Sequence, residues 1–120
     1  NEMAHAWRLS REFHKGVVAA TGNNLLAKLY GIVANAFPDW MLYEAMFHHP
    51  ERLSGSLADD ESEHRAILDA LAKGKPDAAA QKAVDHIVHL GKLLEELLDI
   101  PSELLREKER QVLPLIKQPK

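Results

Sequence analysis

Three histidines, His14, His64 and His86, each lie within a different run of apolar residues that repeats at helical spacing. His64 precedes Ile67 by three positions and His86 precedes Leu90 by four, so both point towards the apolar faces of their helices. Imidazole nitrogen binds zinc, nickel, iron and copper, and three histidines leave coordination positions open for water or an anion. These residues therefore predict a metal site with room for a small ligand. The open alternative is three ordinary buried imidazoles, each hydrogen-bonded to a neighbour.

The remaining four histidines carry a weaker signal. His48 and His49 precede a proline at a predicted helix end, His5 lies near the start of the chain, and His89 is one turn from His86. A single histidine outside such a cluster is usually structural or solvated. We expect none of these four to bind the metal.

Composition narrows the class of protein. The chain has 120 residues, 46% of them hydrophobic, which suits one domain with a modest core. The absence of cysteine excludes disulfides and cysteine-based zinc sites, and a net charge of −3 without a basic cluster argues against direct DNA binding. No apolar run approaches the roughly 20 residues of a membrane span, and the first residues lack a signal-peptide pattern. We expect a cytoplasmic protein that does not contact a membrane.

Apolar residues at helical spacing predict helices throughout and no strands. A glycine and a capping asparagine at 22 and 23 separate the first two helices, Pro38 ends or kinks the second, and Pro76 opens the fifth. The longest loop is expected at Glu51–Ser56, and the tail from Pro114 is expected to fray. The predicted helices are about Met3–Ala20, Leu25–Ala36, Asp39–Phe47, Leu57–Lys73, Pro76–Leu98 and Ser102–Leu113.

The apolar face of each predicted helix defines the expected core. The class is an all-α antiparallel helical bundle. Residues 1–100 would form the bundle, and residues 101–120 a charged C-terminal helix and tail. The residues expected to point inward are Leu9, Phe13, Gly16, Val17, Ala20, Leu25, Leu26, Leu29, Ile32, Val33, Ala36, Ile67, Leu68, Leu71, Ala79, Ala83, Ile87, Leu90, Leu94 and Leu97.

Three segments around these histidines resemble a known family. The chain is similar to the FCD domain, the C-terminal effector-sensing domain of the FadR branch of GntR-type bacterial transcription regulators. The resemblance runs from about Ser10 to Leu98. Its motifs are Arg11-Glu12-Phe13-His14 followed by Ala19-Ala20-Thr21-Gly22-Asn23, then Glu63-His64-Arg65-Ala66-Ile67-Leu68-Asp69-Ala70-Leu71, then Asp77-Ala78-Ala79 through Asp85-His86-Ile87.

The resemblance implies a function for the three histidines. In that family these positions bind a divalent metal, with zinc or nickel expected here, and the site holds a small organic acid whose binding alters a homodimer. DNA contact would come only through a winged-helix domain, and we expect neither that domain nor the family's opening helices in this chain. No enzymatic activity is expected. The chain does not begin with methionine, which is compatible with a fragment of a longer protein.

One departure from the family pattern bears on the metal. An acidic or amide side chain usually stands one turn before the first histidine, where this chain has Ser10. Ser10 would contribute weakly or through water, and Asp60, one turn before His64, is a candidate substitute. An acidic first turn is also ordinary at a helix N-terminus. Tyr30, Asn35 and Trp40 are candidate effector contacts.

Two other functions remain open. The chain could be a metal-independent helical dimerisation domain, for which the serine at position 10 is the main argument. It could also be a ferritin-like protein with two metal ions, which uses Glu-x-x-His pairs from two helices. Glu2 with His5, and Glu61 with His64, have that spacing, although it is short and common by chance.

Overall fold

The computed structural model describes residues 2–36 and 39–116, and within them every regular element is an α-helix. This confirms the all-α class, while Pro38, expected to end the second helix, lies outside the described residues. No helix in this part of the chain is both long enough and apolar enough to cross a bilayer. The helices are α1 Glu2–Ala20, α2 Asn24–Ala36, α3 Asp39–His48, α4 Pro50–Ala72, α5 Pro76–Leu97 and α6 Ser102–Ile116.

Local signals set several helix ends where the sequence predicts them. Gly22 adopts a φ of +69°, and the Asn23 side chain accepts a 3.0 Å bond from the Leu26 N–H, which caps α2. Gly74 follows α4 with a φ of +64°. Its N–H donates to the Leu71 carbonyl, and the next N–H donates to the Ala70 carbonyl, which is the Schellman arrangement that ends helices.

The expected loop at Glu51–Ser56 is wrong, because α4 begins at Pro50 and runs through it. A proline in the first turn loses no helical bond, and an acidic Glu51 in the same turn suits the positive end of the helix. Gly55 inside α4 costs only about 1 kcal/mol relative to alanine, which the rest of a 23-residue helix outweighs.

The chain also departs from expectation near its end, where α6 continues past Pro114 to Ile116. The missing N–H of Pro114 removes one bond from the last turn of the helix, where few bonds remain to be lost. The expectation of a frayed tail from Pro114 is therefore wrong for residues 114–116.

The chain divides into two compact units, Asn1–Arg65 and Ala66–Lys120. In the first unit α1 packs on α2, and α3 supplies the buried residues Leu42, Ala45 and Met46, of which Met46 is 1% exposed. In the second unit α5 contacts α6, and the Ser102 hydroxyl donates to the Glu95 carboxylate. The buried residues of the second unit are Ile67, Ala70, Ala79, His86 and Leu97.

Much of the expected core is exposed. The predictions for Ile67, Ala79 and Leu97 are confirmed, whereas small residues of the first two helices, namely Gly16, Ala20 and Ala36, are exposed. Periodicity identifies the apolar side of a helix, but it does not supply an element to cover that side. The large residues that were expected inside and are 42–69% exposed are Leu9, Leu25, Leu26, Leu29, Ile32, Val33, Leu68, Leu71 and Ile87.

Candidate metal centre

Two of the predicted ligands, His14 on α1 and His64 on α4, face each other. The Nε2 atoms of the two rings are 3.1 Å apart in a part-buried position, and the His64 side chain is only 12% exposed. Two ring nitrogens in contact can share one proton in a hydrogen bond, or both can present lone pairs to a cation. His14 and His64 are fifty positions apart in the sequence, which gives no direct sign of this contact.

Phe13 packs against the pair from α1. Its ring stacks on His64 with centroids 4.3 Å apart and planes inclined by 25°, and it meets the ring of His14 edge-on at 5.6 Å. Aromatic contacts of this kind contribute about 0.5–1.5 kcal/mol beyond simple burial. Phe13 therefore restricts the orientation of the His64 imidazole and shields one of its faces from water.

Asp60 approaches the opposite edge of the His64 ring. Its Oδ2 atom lies 3.5 Å from Nδ1 of His64, one helical turn away on α4, and its side chain is 31% exposed. The carboxylate therefore lies beside Nδ1, whereas Nε2 is the nitrogen that faces His14. The two ring nitrogens of a histidine have separate roles, since the partner of one determines what the other can bind.

His86 is the most buried of the predicted ligands, at 4% exposure on α5. The inward orientation predicted for His64 and His86 is confirmed, and His14 is half-buried, as expected for the border of an apolar face. His14, His64 and His86 each offer one ring nitrogen as a possible metal ligand, and coordination of one ion by all three together stays a prediction.

The spacing of His14 and His64 fits a transition-metal ion. Two nitrogens that bind one zinc ion at about 2.1 Å each can be at most about 4.2 Å apart, and the 3.1 Å between the Nε2 atoms of His14 and His64 is within that limit. Imidazole nitrogens without carboxylates favour zinc, nickel, copper or iron over magnesium and calcium, which prefer oxygen.

Ser10 and Asp60 are the candidate oxygen ligands, and they lie on different helices. Ser10 is half-buried on α1, one turn before His14. Direct coordination by Ser10 or Asp60 stays a prediction.

Arg11 on α1 forms a polar cluster with Tyr30 and Asn35 on α2. Tyr30 and Asn35 are two of the three candidate effector contacts. Asn35 accepts a 3.0 Å bond from the Arg11 guanidinium and donates a 2.8 Å bond to the Gly31 carbonyl. Burial raises the pKa of the Tyr30 phenol, and the charge of Arg11 partly opposes this rise. The third candidate, Trp40, is 63% exposed on α3.

Arg11 is a further candidate effector contact that the sequence patterns did not single out. It stands three residues before His14 on α1, and side chains at this spacing lie on the same side of a helix. The spacing could have identified Arg11 from the sequence. A guanidinium one turn from a proposed metal ligand is suited to a bidentate interaction with the carboxylate of an effector.

Residues of the two Glu-x-x-His pairs, which the ferritin-like alternative would use as metal ligands, contact arginines. The Glu61 carboxylate forms a 2.7 Å ion pair with Arg65. Nδ1 of His5 lies 2.8 Å from the Arg8 guanidinium. These contacts give the ferritin-like alternative no support.

Comparison with protein-family models identifies the family to which the chain belongs. The family model of the FCD domain matches residues 1–89, which is most of the chain. The chain belongs to the FCD domain family. FCD domains are the regulatory, non-enzymatic, effector-sensing domains of GntR-type transcription regulators, they dimerise in those proteins, and they often bind metal. No curated protein and no solved structure matches this FCD domain.

Proposed function

We propose that this FCD domain binds a divalent metal ion, zinc or nickel, through His14, His64 and His86, and that a small organic acid binds at the same place. The domain then acts as the effector sensor of a homodimeric transcription regulator. When bound, the metal supplies a Lewis-acidic centre that attracts the oxygens of a carboxylate.

The observation that carries this proposal is the contact between the two Nε2 atoms of His14 and His64 at 3.1 Å. Apposed imidazole nitrogens in a part-buried position need either a shared proton or a shared cation, since two lone pairs facing each other repel. The sequence places both residues within motifs that resemble the metal-binding motifs of the family, which favours the cation.

The polar cluster on α1 and α2 favours an anionic effector. Arg11 brings a guanidinium to the same side of α1 as His14, and its bond to Asn35 holds it in place. Tyr30 adds a phenol, which is protonated at neutral pH even with an ordinary pKa, and burial raises that pKa further. A carboxylate near the histidines would thus meet one fixed positive charge and a hydrogen-bond donor.

Metal analysis tests the proposal directly. The full chain is purified without an affinity tag, loaded with zinc or nickel, dialysed, and analysed for metal by mass spectrometry. We expect one ion per chain in the wild type and strongly reduced content in His64→Ala. His89→Ala, which removes an exposed histidine from α5, is the matched control and should retain the ion. Unchanged content in His64→Ala would refute the site.

Effector binding is tested by calorimetry with small mono-, di- and tricarboxylates. We expect the metal-loaded protein to bind at least one of them, and the chelator-treated protein to bind it more weakly. Replacing Arg11 by methionine should weaken binding without changing the metal content. Binding that is equally tight after the metal has been removed would contradict the proposed role of the metal.

A second candidate function, metal-independent dimerisation, is favoured by a different observation. One side of α2 carries Leu25, Leu29, Ile32 and Val33, and all four are between 51% and 69% exposed. Apolar side chains grouped in this way are typical of association surfaces. Light scattering with and without chelator measures the oligomeric state and separates the two functions. If the chain binds no metal and its dimer forms equally well in both conditions, metal-independent dimerisation is favoured.

A further inference from the structure

We propose that Asp60 is a positioning residue that holds the proton of His64 on Nδ1 and thereby keeps Nε2 available as a metal ligand. This inference rests on the proposed function, and it assigns Asp60 an indirect role instead of direct coordination. The juxtaposition that supports it is the carboxylate on one edge of the His64 ring and His14 on the other.

The first step concerns which ring nitrogen meets which neighbour. Oδ2 of Asp60 lies 3.5 Å from Nδ1 of His64, while Nε2 of the same ring lies 3.1 Å from His14. The 3.5 Å distance is about 0.5 Å longer than a usual N–H···O bond. At this distance the negative charge of Asp60 still acts on Nδ1 and favours a proton there.

The second step follows from the chemistry of imidazole. A neutral histidine has one protonated nitrogen, which donates, and one bare nitrogen, which accepts or binds a metal. A carboxylate beside Nδ1 favours the proton there, since an ionised oxygen only accepts hydrogen bonds. The lone pair of His64 is consequently on Nε2, and carboxylates placed in this way raise the basicity of metal-binding histidines.

The third step gives His14 the complementary role in the metal-free protein. If Nε2 of His64 is the acceptor in the 3.1 Å contact, then Nε2 of His14 carries the proton and donates it. His64 is therefore already in its metal-binding tautomer, whereas His14 must move its proton to Nδ1 or release it when a metal binds. The stacked Phe13 ring, at 4.3 Å, helps to hold the orientation of His64 on which this arrangement depends.

The position of Asp60 also argues against direct coordination. The lone pairs of Nδ1 and Nε2 diverge, so a carboxylate at the Nδ1 edge does not share a cation with Nε2. Asp59, the neighbouring residue, is exposed and provides a variant of the same charge change on the same helix.

The tautomers can be read from the metal-free full chain by long-range proton–nitrogen NMR of the imidazole rings, at a pH near 8 where histidine is ordinarily neutral. We expect His64 to carry its proton on Nδ1 and His14 on Nε2. In Asp60→Ala the His64 proton should redistribute towards Nε2, while Asp59→Ala should match the wild type. A wild-type His64 protonated on Nε2, or one unaffected by Asp60→Ala, would overturn the proposal.

Zinc affinity supplies the second readout. Loss of such a carboxylate typically weakens metal binding by about 10–100-fold, so we expect a loss of that size in Asp60→Ala with one ion per chain retained. Asp60→Asn keeps an oxygen acceptor and should lose less, and Asp59→Ala should be unchanged. An affinity in Asp60→Ala equal to that of Asp59→Ala would count against the inference.

Cobalt substitution distinguishes an indirect role from direct coordination. The visible spectrum and X-ray absorption of the cobalt-loaded Asp60→Ala protein should show the same number and kind of ligands as the wild type. Loss of an oxygen ligand would make Asp60 a direct ligand and overturn the proposal. If the wild-type chain bound no metal, the proposed function would fail, and the NMR result would still decide whether Asp60 sets the tautomer of His64.

Discussion

Metal binding should stabilise this FCD domain, and the effect can be estimated from the proposed site. An ion that binds only the folded chain adds about 2.7 kcal/mol when its free concentration is one hundred times its Kd. For a chain of 120 residues, the entropy of unfolding is about 0.25 kcal/mol per kelvin. The melting temperature should therefore rise by about 10 °C when zinc is added at that concentration.

Replacing His64 by alanine should remove this rise. His64 is one of the three proposed ligands, and its Nε2 is the atom in contact with His14. The variant also loses the stack with Phe13, so its melting temperature without metal should fall by a few degrees, at about 4 °C per kcal/mol. The diagnostic quantity is therefore the difference between melting temperatures with zinc and with chelator, measured separately for each variant.

The assay is thermal unfolding followed by circular dichroism at increasing zinc concentration. His89→Ala serves as the control, because it removes a histidine from α5 that is exposed and lies outside the predicted group. We expect the control to keep the full zinc-dependent rise. The reasoning would be refuted if His64→Ala kept the same rise as the control, since zinc would then be stabilising the chain from another place.

Further predictions concern helix ends and the polar cluster. Asn23→Ala removes the cap of α2 and should cost about 1 kcal/mol, seen as a lower midpoint in urea. Gly74→Ala places a side chain at a φ of +64° with no atom within 4 Å of the new Cβ, so backbone strain alone should cost about 1–2 kcal/mol. Asp99 has a φ of +49°, so Asp99→Gly should raise the free energy of unfolding by up to about 1 kcal/mol. Arg11→Met should raise the pKa of Tyr30 further, because burial raises that pKa and Arg11 lowers it. The stability linked to the neutral phenol is present below the unfolded pKa and is lost as pH rises through the folded pKa. Ultraviolet titration with the second tyrosine replaced by phenylalanine would measure this change, and an unchanged or lower pKa would be the contrary result.

Helix boundaries were predictable where a single residue type determines the backbone. Gly22 and Gly74 adopt positive φ values, as a residue without a Cβ can at no steric cost. Asn23 caps α2 through a bond that its short side chain makes locally. Pro76 opens α5 at the position where its missing N–H is harmless. These effects act over three or four residues, so the sequence contains all that is needed to infer them.

The segment around Gly55 shows where local signals fail. Ser54-Gly55-Ser56 has the composition of a loop, yet it lies inside α4. Propensity is a weak preference of about 1 kcal/mol at a single glycine, and the cooperativity of a long helix overrides it. The same limit applies to burial, since Leu68 follows the buried Ile67 in the sequence and is 55% exposed.

The candidate site combines both kinds of information. Residue types and motifs are enough to single out His14, His64 and His86, because imidazole in an apolar helical face is unusual and chemically capable. The pairing of Nε2 atoms, the stack of Phe13 and the approach of Asp60 to Nδ1 are absent from the sequence pattern. They depend on the angles at which two helices distant in sequence meet.

By itself, the sequence determined that this chain is helical, where most of its helices begin and end, and which three histidines have the chemistry for a metal. Those properties follow from residue type and from interactions within a few positions. Only the tertiary structure decided which apolar side chains are covered and which ring nitrogen of His64 faces its partner. The physical reason is that burial and nitrogen orientation are set by packing between helices, which no local spacing specifies.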